Sequence, residues 1–152
     1  MYYHEEYCDL FSIDRSKYAL AHCISADFAL GAGIAVRFNT AFNIRNILNM
    51  TYYSKGIEYF LNTSNKKGYC IYIDECKVFN LVTKANYYDK PTYASITNAI
   101  IDMANIALLN NIKYIAMPMI GCGLDRLNWS RVSNIIKKIF KDTDIEILIC
   151  KV

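Results

Sequence analysis

Lys84 and Asp125 are the two residues of this sequence whose types and positions best suit covalent chemistry. Lys84 comes directly after the apolar run 78–83, and Asp125 ends a glycine-containing loop that follows the apolar run 114–117. Apolar surroundings disfavour an ammonium group, and a neutral amine attacks an aldehyde-like carbon to form an imine while a nearby carboxylate shuttles the protons. The spacing leaves a plainer alternative open, in which Lys84 is a surface lysine and Asp125 caps a helix that begins near Asn128.

The sequence contains two glycine-containing loops, at 31–35 and 120–125. The first follows the apolar run 18–24, the second follows the apolar run 114–117, and each leads into a predicted helix. Glycine allows backbone N–H groups to approach phosphate oxygens closely, and a helix N-terminus adds partial positive charge. Either loop alone is equally consistent with a plain tight turn. The sequence lacks both the Gly-Lys-Ser/Thr of a P-loop and the Gly-x-Gly-x-x-Gly dinucleotide fingerprint, which argues against an ATPase or a Rossmann dehydrogenase.

The elements that position these residues follow from hydrophobic periodicity. Apolar runs predict strands at 18–24, 69–73, 78–83, 114–117 and 145–150, and helical spacing predicts helices at 34–42, at 92–110 and from 129 onward. The two strands around the polar turn 74–75 form a predicted hairpin, 43–60 is predicted to be further helix, and 2–7 an edge strand. This order indicates an α/β sheet with helices on both faces.

The candidate residues converge if the strands run parallel. Ser25 follows the strand at 18–24, so that Ser25, Lys84 and both glycine loops would then lie at the carboxyl ends of their strands. Open α/β sheets bind ligands at this edge. The pattern therefore predicts a pocket for a phosphate-bearing small molecule, and we expect some of Tyr87, Tyr88 and Tyr93 to wall it because they flank the Lys84 loop.

Length and composition narrow the class of protein. The 152 residues fit one domain, and 54% hydrophobic with 20% charged residues exclude a disordered chain. No apolar run reaches the roughly 18–20 residues of a membrane helix, and Glu5 and Glu6 stand where a signal peptide needs cations. We therefore expect a soluble, intracellular protein of the cytoplasm or nucleus, and a monomer by default.

Net charge and cysteine content give weaker indications about nucleic-acid binding, metal sites and disulfides. A formal net charge of +3 is too small to indicate nucleic-acid binding, and the lysine pairs at 66–67 and 137–138 are expected to be solvated surface. The six cysteines include no Cys-x-x-Cys pair, so neither a metal site nor a disulfide is expected. His22, inside the strand 18–24, is expected to be a core histidine.

Five segments of the chain resemble those of a macrodomain. They are LAHCIS at 20–25, GAGIAV at 31–36, LVTK at 81–84, KPTY at 90–93 and MPMIGCGLDRL at 117–127. The resemblance is to the subgroup of terminal ADP-ribose protein glycohydrolases, or O-acyl-ADP-ribose deacylases, and runs from about Cys8 to Val152. It implies a three-layer α/β/α fold with a mixed, largely parallel central sheet, as a single macrodomain over 1–152, and a reaction without a cofactor.

The resemblance also implies a substrate and a set of site residues. The substrate is ADP-ribose attached through its terminal ribose to an acyl group, on a protein or on acetate. Lys84 is implied as the nucleophile that engages the anomeric carbon of the opened ribose, and Asp125 as the acid/base. The implied ligand-binding residues are Asp9, Leu10 and Val152 for the adenine, and Ser25, Gly31, Ala32, Gly33, Ile34, Ala35, Met119, Ile120, Gly121, Cys122, Gly123 and Leu124 for the pyrophosphate and distal ribose.

The sequence departs from the family pattern at two positions and over one stretch. Cys8 stands where the family has glycine, Ala85 replaces a second lysine after the nucleophile, and 51–66 is longer than usual. These departures leave a non-catalytic ADP-ribose reader open, and an ADP-ribose 1″-phosphate phosphatase is a further alternative. Removal of ADP-ribose from nucleic-acid bases is a variant of the hydrolase hypothesis. The expected partners are accordingly ADP-ribose and ADP-ribosylated protein or nucleic acid.

Overall fold

The computed structural model describes residues 1–62 and 67–152, so that Lys66 and the end of the 51–66 stretch lie outside the described residues. The strands are β1 (Tyr2–Tyr7), β2 (Ala19–Ser25), β3 (Tyr69–Ile73), β4 (Val78–Lys84), β5 (Tyr114–Met117) and β6 (Glu146–Lys151). The helices are α1 (Ile34–Phe42), α2 (Ile44–Thr51), α3 (Ile57–Asn62), α4 (Tyr93–Leu109) and α5 (Trp129–Phe140). Every predicted strand is confirmed, including the edge strand at 2–7.

The predicted helix at 43–60 is confirmed only in part, because the chain breaks it twice. Asn43 adopts the left-handed conformation (φ 57°) between α1 and α2. A 3₁₀ turn at Tyr53–Lys55 then ends at Gly56, whose ψ of −148° is not helical, and α3 begins at the next residue. The periodicity of the region therefore belongs to two short helices and a turn.

The six strands form one mixed sheet in the order β1-β6-β5-β2-β4-β3. All neighbouring pairs are parallel except β3 and β4, which form the predicted antiparallel hairpin. The carboxyl ends of β1, β2, β4, β5 and β6 therefore meet at one edge of the sheet. This arrangement confirms the predicted mixed, largely parallel sheet.

Two apolar cores cover the opposite faces of the sheet. Ala19 and Ala21 of β2 face the core formed with α4 and α5, whereas Leu20 and Ile24 face the core formed with α1, α2 and α3. The alternation follows from the two-residue period of a strand. Because β2 is buried on both faces, it reads as an almost continuous apolar run. The three layers are those predicted.

His22 is a core histidine, as predicted. It is completely buried in β2, and its ring stacks on Phe38 of α1 with centroids 3.8 Å apart. The His22 Nε2 and the Asn80 Oδ1 are 2.6 Å apart, and the Asn80 amide donates to the carbonyl of Ile71 at 3.1 Å. Burial lowers the pKa of His22 to about 4, so the ring is neutral near pH 7.

Side-chain caps set the starts of α4 and α5. The Thr92 hydroxyl accepts from the backbone N–H of Ser95, and the Ser95 hydroxyl is bonded to the Thr92 backbone N–H, which completes a capping box. At α5 the Asn128 side chain accepts from the backbone N–H of Arg131 at 3.2 Å. Asp125 is therefore not the cap of α5. None of the helices in the described residues is long and apolar enough to cross a membrane.

Candidate active site

A cleft of about 1060 Å³ opens at the edge where the parallel strands end. Every catalytic or ligand-binding residue that the family resemblance implies lines it: Asp9, Leu10, Ser25, Gly31, Ala32, Gly33, Ile34, Ala35, Lys84, Met119, Ile120, Gly121, Cys122, Gly123, Leu124, Asp125 and Val152. These residues come from five separate loops and strand ends. The topology therefore brings together the side chains that the sequence places up to 143 positions apart, from Asp9 to Val152.

Lys84 and Asp125 form a direct ion pair within this cleft. The Lys84 Nζ donates to the Asp125 Oδ1 at 2.8 Å, and the two side chains are only 15% and 18% exposed. β4 ends at Lys84, so its side chain points from the sheet edge, while Asp125 comes from the loop after β5. The plainer alternative, a surface lysine and a helix-capping aspartate, is wrong for both residues. A proton can pass between the two atoms without any change in the backbone.

β4, which ends at Lys84, pairs with β2, which ends at Ser25, and the register of this pairing is irregular at the strand ends. β2 and β4 pair in step from Leu20 to Ile24, and then Ser25 lies opposite Lys84 rather than Thr83. The next backbone bond runs from the Ala26 N–H to the Lys84 carbonyl at 2.8 Å. A shift of one residue reverses the face that a strand side chain occupies. The irregularity therefore changes the direction of the Lys84 side chain from the one it would have in an uninterrupted pairing of β2 and β4.

Asp27 organises the two loops beside Lys84, and sequence reasoning missed it. Its carboxylate accepts from the Ser25 hydroxyl at 2.5 Å and from the backbone N–H of Tyr87 at 2.8 Å. It also accepts from the backbone N–H of Ala29 at 3.1 Å. The polar cluster at 25–27 was a signal for this role, since aspartate commonly bonds backbone groups two residues on. The bond to Tyr87 depends on strand pairing and has no local signal.

The two glycine loops face each other across the cleft. Gly33 has φ 60° and ψ −148°, a conformation open essentially only to glycine, and a Cβ there would lie 3.3 Å from the Leu124 Cδ1 of the second loop. Gly121 has φ 73°, and a Cβ there would lie 2.8 Å from the Ile96 Cδ1. At Gly123, in contrast, a Cβ would meet no atom within 4 Å. Its missing side chain leaves open space on the cleft wall.

The Asp9 end of the cleft is held by a cap and an ion pair. Asp9 accepts from the backbone N–H of Phe11 at 3.0 Å, and the Arg37 guanidinium lies 3.4 Å from the same oxygen. These two contacts hold the pKa of the Asp9 carboxyl below its ordinary value, the backbone hydrogen bond having the larger effect. Arg37 also lies 4.3 Å from the centre of the Phe11 ring. Arg37 is a lining residue that sequence reasoning missed, although it stands one helical turn after Gly33.

Of the two residues that depart from the family pattern, Cys8 lines this cleft and Ala85 does not. Cys8 lines the cleft, and its backbone N–H donates to the carbonyl of Lys151 at 3.2 Å, which continues the pairing of β1 with β6. Cys150 of β6 lines the cleft as well, and this neighbour of Cys8 had no sequence signal because it depends on strand register. Ala85 is buried in the core beside α1, α2 and α3.

Two further cysteines lie near the ion pair. Burial, with smaller contributions from the Asp125 carboxylate and the Cys122 thiol, raises the pKa of Cys23 to about 12. Burial alone raises the pKa of Cys122 to about 11. Both groups are therefore thiols near pH 7, and a thiol is a poor nucleophile. Within the part of the chain that the structure describes, no three His, Cys, Asp or Glu side chains are grouped as metal ligands.

The predicted tyrosine wall is confirmed for two of the three residues. Tyr87 and Tyr88 line the cleft, as do their neighbours Asp89 and Lys90. Tyr93 does not line it, because it begins α4 and its hydroxyl accepts from the backbone N–H of Asn128 at 2.9 Å. The remaining lining residues are Cys23, Ile24, Ala29, Leu30 and Pro118.

The chain is similar in sequence to known proteins. No family profile matches the chain. The ADP-ribose glycohydrolase OARD1 of Homo sapiens is 37% identical over 143 residues, which cover 93% of this chain and 86% of that protein, and the protein of the same name from Bos taurus gives the same values. An uncharacterised protein of Invertebrate iridescent virus 6, 032R, is 43% identical over 72 residues, 47% of this chain and 72% of that protein.

Solved structures show the same fold at low sequence identity. The macrodomain of Thermus aquaticus DarG superposes with a TM-score of 0.76 at 17% identity, over 99% of this chain and 98% of that one. The Thermosipho africanus DarTG structure in complex with ADP-ribose gives a TM-score of 0.68 at 20% identity, over 94% of this chain and 39% of that one. By its identity with the OARD1 proteins over most of its length and by its fold, the chain belongs to the macrodomain family.

Proposed function

We propose that this protein is an ADP-ribose-binding hydrolase that releases ADP-ribose from acyl-linked sites, such as glutamate or aspartate esters and O-acetyl-ADP-ribose, through an intermediate on Lys84. The observation that carries the proposal is the shielded ion pair of Lys84 and Asp125 inside a cleft walled by two glycine loops. The name of the human relative, ADP-ribose glycohydrolase, supports the same class of reaction.

In this proposal the substrate lies along the length of the cleft. Its adenine occupies the end formed by Asp9, Leu10 and Val152, and its pyrophosphate lies between the loops that contain Gly33 and Gly123. The N-terminus of α1, which begins directly after Gly33, contributes partial positive charge to the phosphates. The distal ribose then reaches the ion pair at the opposite end.

The first chemical step forms a bond from Lys84 to the ribose. The Lys84 Nζ transfers a proton to the Asp125 Oδ1, over the 2.8 Å of their hydrogen bond, and becomes a neutral amine. The amine nitrogen bonds to the anomeric carbon, the bonds from that carbon to the acyl oxygen and to the ring oxygen break, and a protonated imine forms on the opened ribose. Asp125 gives its proton to the ring oxygen and is again a carboxylate, while the acyl oxygen takes one proton of the amine and leaves as a carboxylic acid.

The second step regenerates the enzyme. The lysine adduct exists as an imine in its ring-opened form, and water adds to the imine carbon while Asp125 accepts a proton from that water. The bond from carbon to the Lys84 nitrogen then breaks, the amine takes the proton back, and ADP-ribose leaves. Water supplies the oxygen, so that the products are a carboxylic acid and ADP-ribose and no cofactor is consumed.

Trapping with borohydride tests this mechanism. Wild-type protein incubated with ADP-ribose and then reduced should carry a covalent adduct on Lys84, located by peptide mass spectrometry. Lys84→Ala should bind ADP-ribose by calorimetry yet neither form the adduct nor release ADP-ribose from a glutamate-linked peptide. Asp125→Ala should bind ADP-ribose and show a greatly reduced rate of release.

Lys113 provides the matched control. Its Nζ lies 2.7 Å from the Asp144 Oδ2, so it is also a lysine paired with an aspartate, but both side chains are well exposed and lie outside the cleft. Lys113→Ala should form the adduct and release ADP-ribose as the wild type does. A reduced adduct on Lys113 rather than on Lys84 would contradict the proposal.

The remaining outcomes identify the alternative functions. Tight ADP-ribose binding by the wild type, with neither adduct nor release, would identify an ADP-ribose reader. Phosphate release from ADP-ribose 1″-phosphate that survives Lys84→Ala would identify a phosphatase. If the wild type does not bind ADP-ribose at all, the assignment fails at the cleft, and the Cys8 side chain is the first change to reverse.

A further inference from the structure

Two bulky residues just before the first glycine loop adopt a backbone conformation that large side chains normally avoid. Phe28 and Leu30 have φ angles of 55° and 46°. For a bulky residue this left-handed conformation is an outlier, and it persists only where the surrounding structure imposes it. Both side chains are almost completely buried, at 3% and 4% exposure, in the core beside α1, α2 and α3. The chain that leads into the loop at 31–35 is therefore strained, and packing of its side chains keeps it so.

The strained segment belongs to the cleft wall, and its next N–H groups are available to a ligand. Residues 29–35 all line the cleft. The backbone N–H of Ala29 is bonded to the Asp27 carboxylate at 3.1 Å. In the part of the chain that the structure describes, the N–H groups of residues 30–33 donate to no protein acceptor. Successive free N–H groups of this kind form an anion-binding concavity, provided that they keep their orientation.

Arg45 bonds the carbonyl groups of this segment from outside the cleft. Its Nε donates to the carbonyl oxygen of Ala29 at 2.8 Å, and its Nη2 donates to the same oxygen. The Nη2 also lies 3.4 Å from the carbonyl oxygen of Leu30. Arg45 is the second residue of α2 and does not line the cleft. Its own backbone N–H donates to the Asn39 Oδ1 at 2.9 Å, so the side chain extends from a fixed position on the helix.

These hydrogen bonds fall on the peptide group whose rotation would relieve the strain at Leu30. A peptide group is planar and rotates as a unit, which changes ψ of the residue before it and φ of the residue after it. Rotation of the Ala29–Leu30 peptide by about half a turn would return φ of Leu30 to negative values. The same rotation would turn the Ala29 carbonyl away from Arg45 and reverse the direction of the Leu30 N–H. Arg45 therefore opposes the relaxation of the segment.

We propose that Arg45 is a positioning residue for phosphate binding, because it holds the Ala29–Leu30 peptide in the orientation that leaves the N–H groups of residues 30–33 free for the diphosphate of the substrate. This inference rests on the proposed function and adds to it a residue that acts on substrate binding without touching the substrate. A carbonyl oxygen turned toward the phosphates would repel them, and a loop that is already in its binding conformation loses less free energy on binding. The ion pair of Lys84 and Asp125 is not involved.

Calorimetry and kinetics with Arg45→Ala test the inference. The variant should bind ADP-ribose about 5- to 150-fold more weakly than the wild type, the range that corresponds to the strain of one such residue. On a glutamate-linked ADP-ribose peptide its KM should rise, while kcat stays close to the wild-type value because the reacting groups are unchanged. The affinity for adenosine, which carries no phosphate, should not change. A general loss of structure would weaken the binding of both ligands.

Arg15 provides the matched control. Its guanidinium also donates to backbone carbonyls, to that of Tyr18 at 2.9 Å and to that of Cys76, but Arg15 does not line the cleft. Arg15→Ala loses hydrogen bonds of the same kind and should keep the wild-type affinity for ADP-ribose. Leu30→Gly gives a second comparison, because glycine adopts positive φ without strain. In the Leu30→Gly background, Arg45→Ala should weaken ADP-ribose binding by a smaller factor than in the wild type.

The amide signals of Gly31 and Gly33 test the loop independently of turnover. In ¹H–¹⁵N NMR spectra of the wild type, titration with inorganic pyrophosphate should shift both signals, and Arg45→Ala should need a higher concentration for the same shift. A wild-type protein that shows these shifts but releases no ADP-ribose would contradict the proposed hydrolase and support the inference. The two failures are therefore distinguishable.

Four results would overturn the inference. They are wild-type affinity of Arg45→Ala for ADP-ribose, an equal loss of affinity for ADP-ribose and adenosine, a lower kcat at unchanged KM, and wild-type amide signals that do not respond to pyrophosphate. An equal effect of Arg45→Ala with leucine or glycine at position 30 would also contradict it, since the strain would then not be what Arg45 opposes.

Discussion

The Asp27 carboxylate accepts a hydrogen bond from the backbone N–H of Tyr87 at 2.8 Å, although 60 residues separate the two positions. The backbone N–H of Asp27 donates in turn to the carbonyl of Ala85 at 3.1 Å. These bonds tie the loop after β2 to the loop after β4. The two chain segments that flank Lys84 are therefore fixed relative to each other by one side chain and its backbone.

Replacement of Asp27 by alanine should destabilise the protein and disturb the site together. Asp27→Ala leaves the backbone N–H of Tyr87 and that of Ala29 without their acceptor, which should lower the free energy of unfolding by about 1–3 kcal/mol. Asp27→Asn keeps an acceptor oxygen, so its free energy of unfolding should fall by less than that of Asp27→Ala. Urea unfolding followed by circular dichroism measures the effect. Asp144→Ala, which removes an exposed carboxylate, should unfold at nearly the same urea concentration as the wild type.

The two glycine loops should respond differently to alanine. Gly33→Ala forces a side chain into a backbone conformation that costs about 1–3 kcal/mol, so its melting temperature should fall. At Gly123→Ala a Cβ meets no atom within 4 Å, so the fold should be as stable as wild type while the new methyl group occupies cleft space. We expect Gly123→Ala to weaken ADP-ribose binding by calorimetry at least about tenfold, or about 1.4 kcal/mol. Wild-type affinity in this variant would show that the ligand does not approach the loop.

Stability should fall on mild acidification because His22 is buried as a neutral ring. Its pKa is lowered from 6.5 to about 4, so between these values the unfolded chain takes up a proton that the folded chain does not. The stabilisation is fully present above pH 6.5 and is lost as the pH falls toward 4. From pH 7.5 to pH 5 the free energy of unfolding should decrease by about 2 kcal/mol. His22→Gln cannot titrate, and its stability, though lower, should depend less on pH over this interval.

Cys23 should resist alkylation in the folded protein. Its pKa of about 12 leaves about a thousandfold less thiolate near pH 8 than the ordinary value of 9.0 does, and the thiolate is the reacting species. Iodoacetamide labelling at pH 8, followed by mass spectrometry, should modify Cys23 far more slowly in the folded protein than in 8 M urea. Rapid modification of the folded protein would instead mark Cys23 as a competing nucleophile beside Lys84.

Much of the fold could be predicted because its signals are local. The apolar runs of β2, β4 and β6 are each contained within a few residues, and the structure confirms them. The prediction for 43–60 was less successful because apolar spacing does not register a left-handed residue such as Asn43. The lining of the cleft could be predicted where a loop motif marked it, as at 31–35 and 120–125.

The sequence by itself determined the order of strands and helices, the two glycine loops, and Lys84 and Asp125 as the reactive pair to examine. Only the tertiary structure decided that these two side chains touch, that Asp27 anchors Tyr87, and that Cys8 and Cys150 both line the cleft. The reason is physical: hydrophobic period and turn chemistry act over a few residues, whereas these contacts depend on which strands pair and in what register. β1 and β6, for example, lie side by side although they are the first and last strands of the chain.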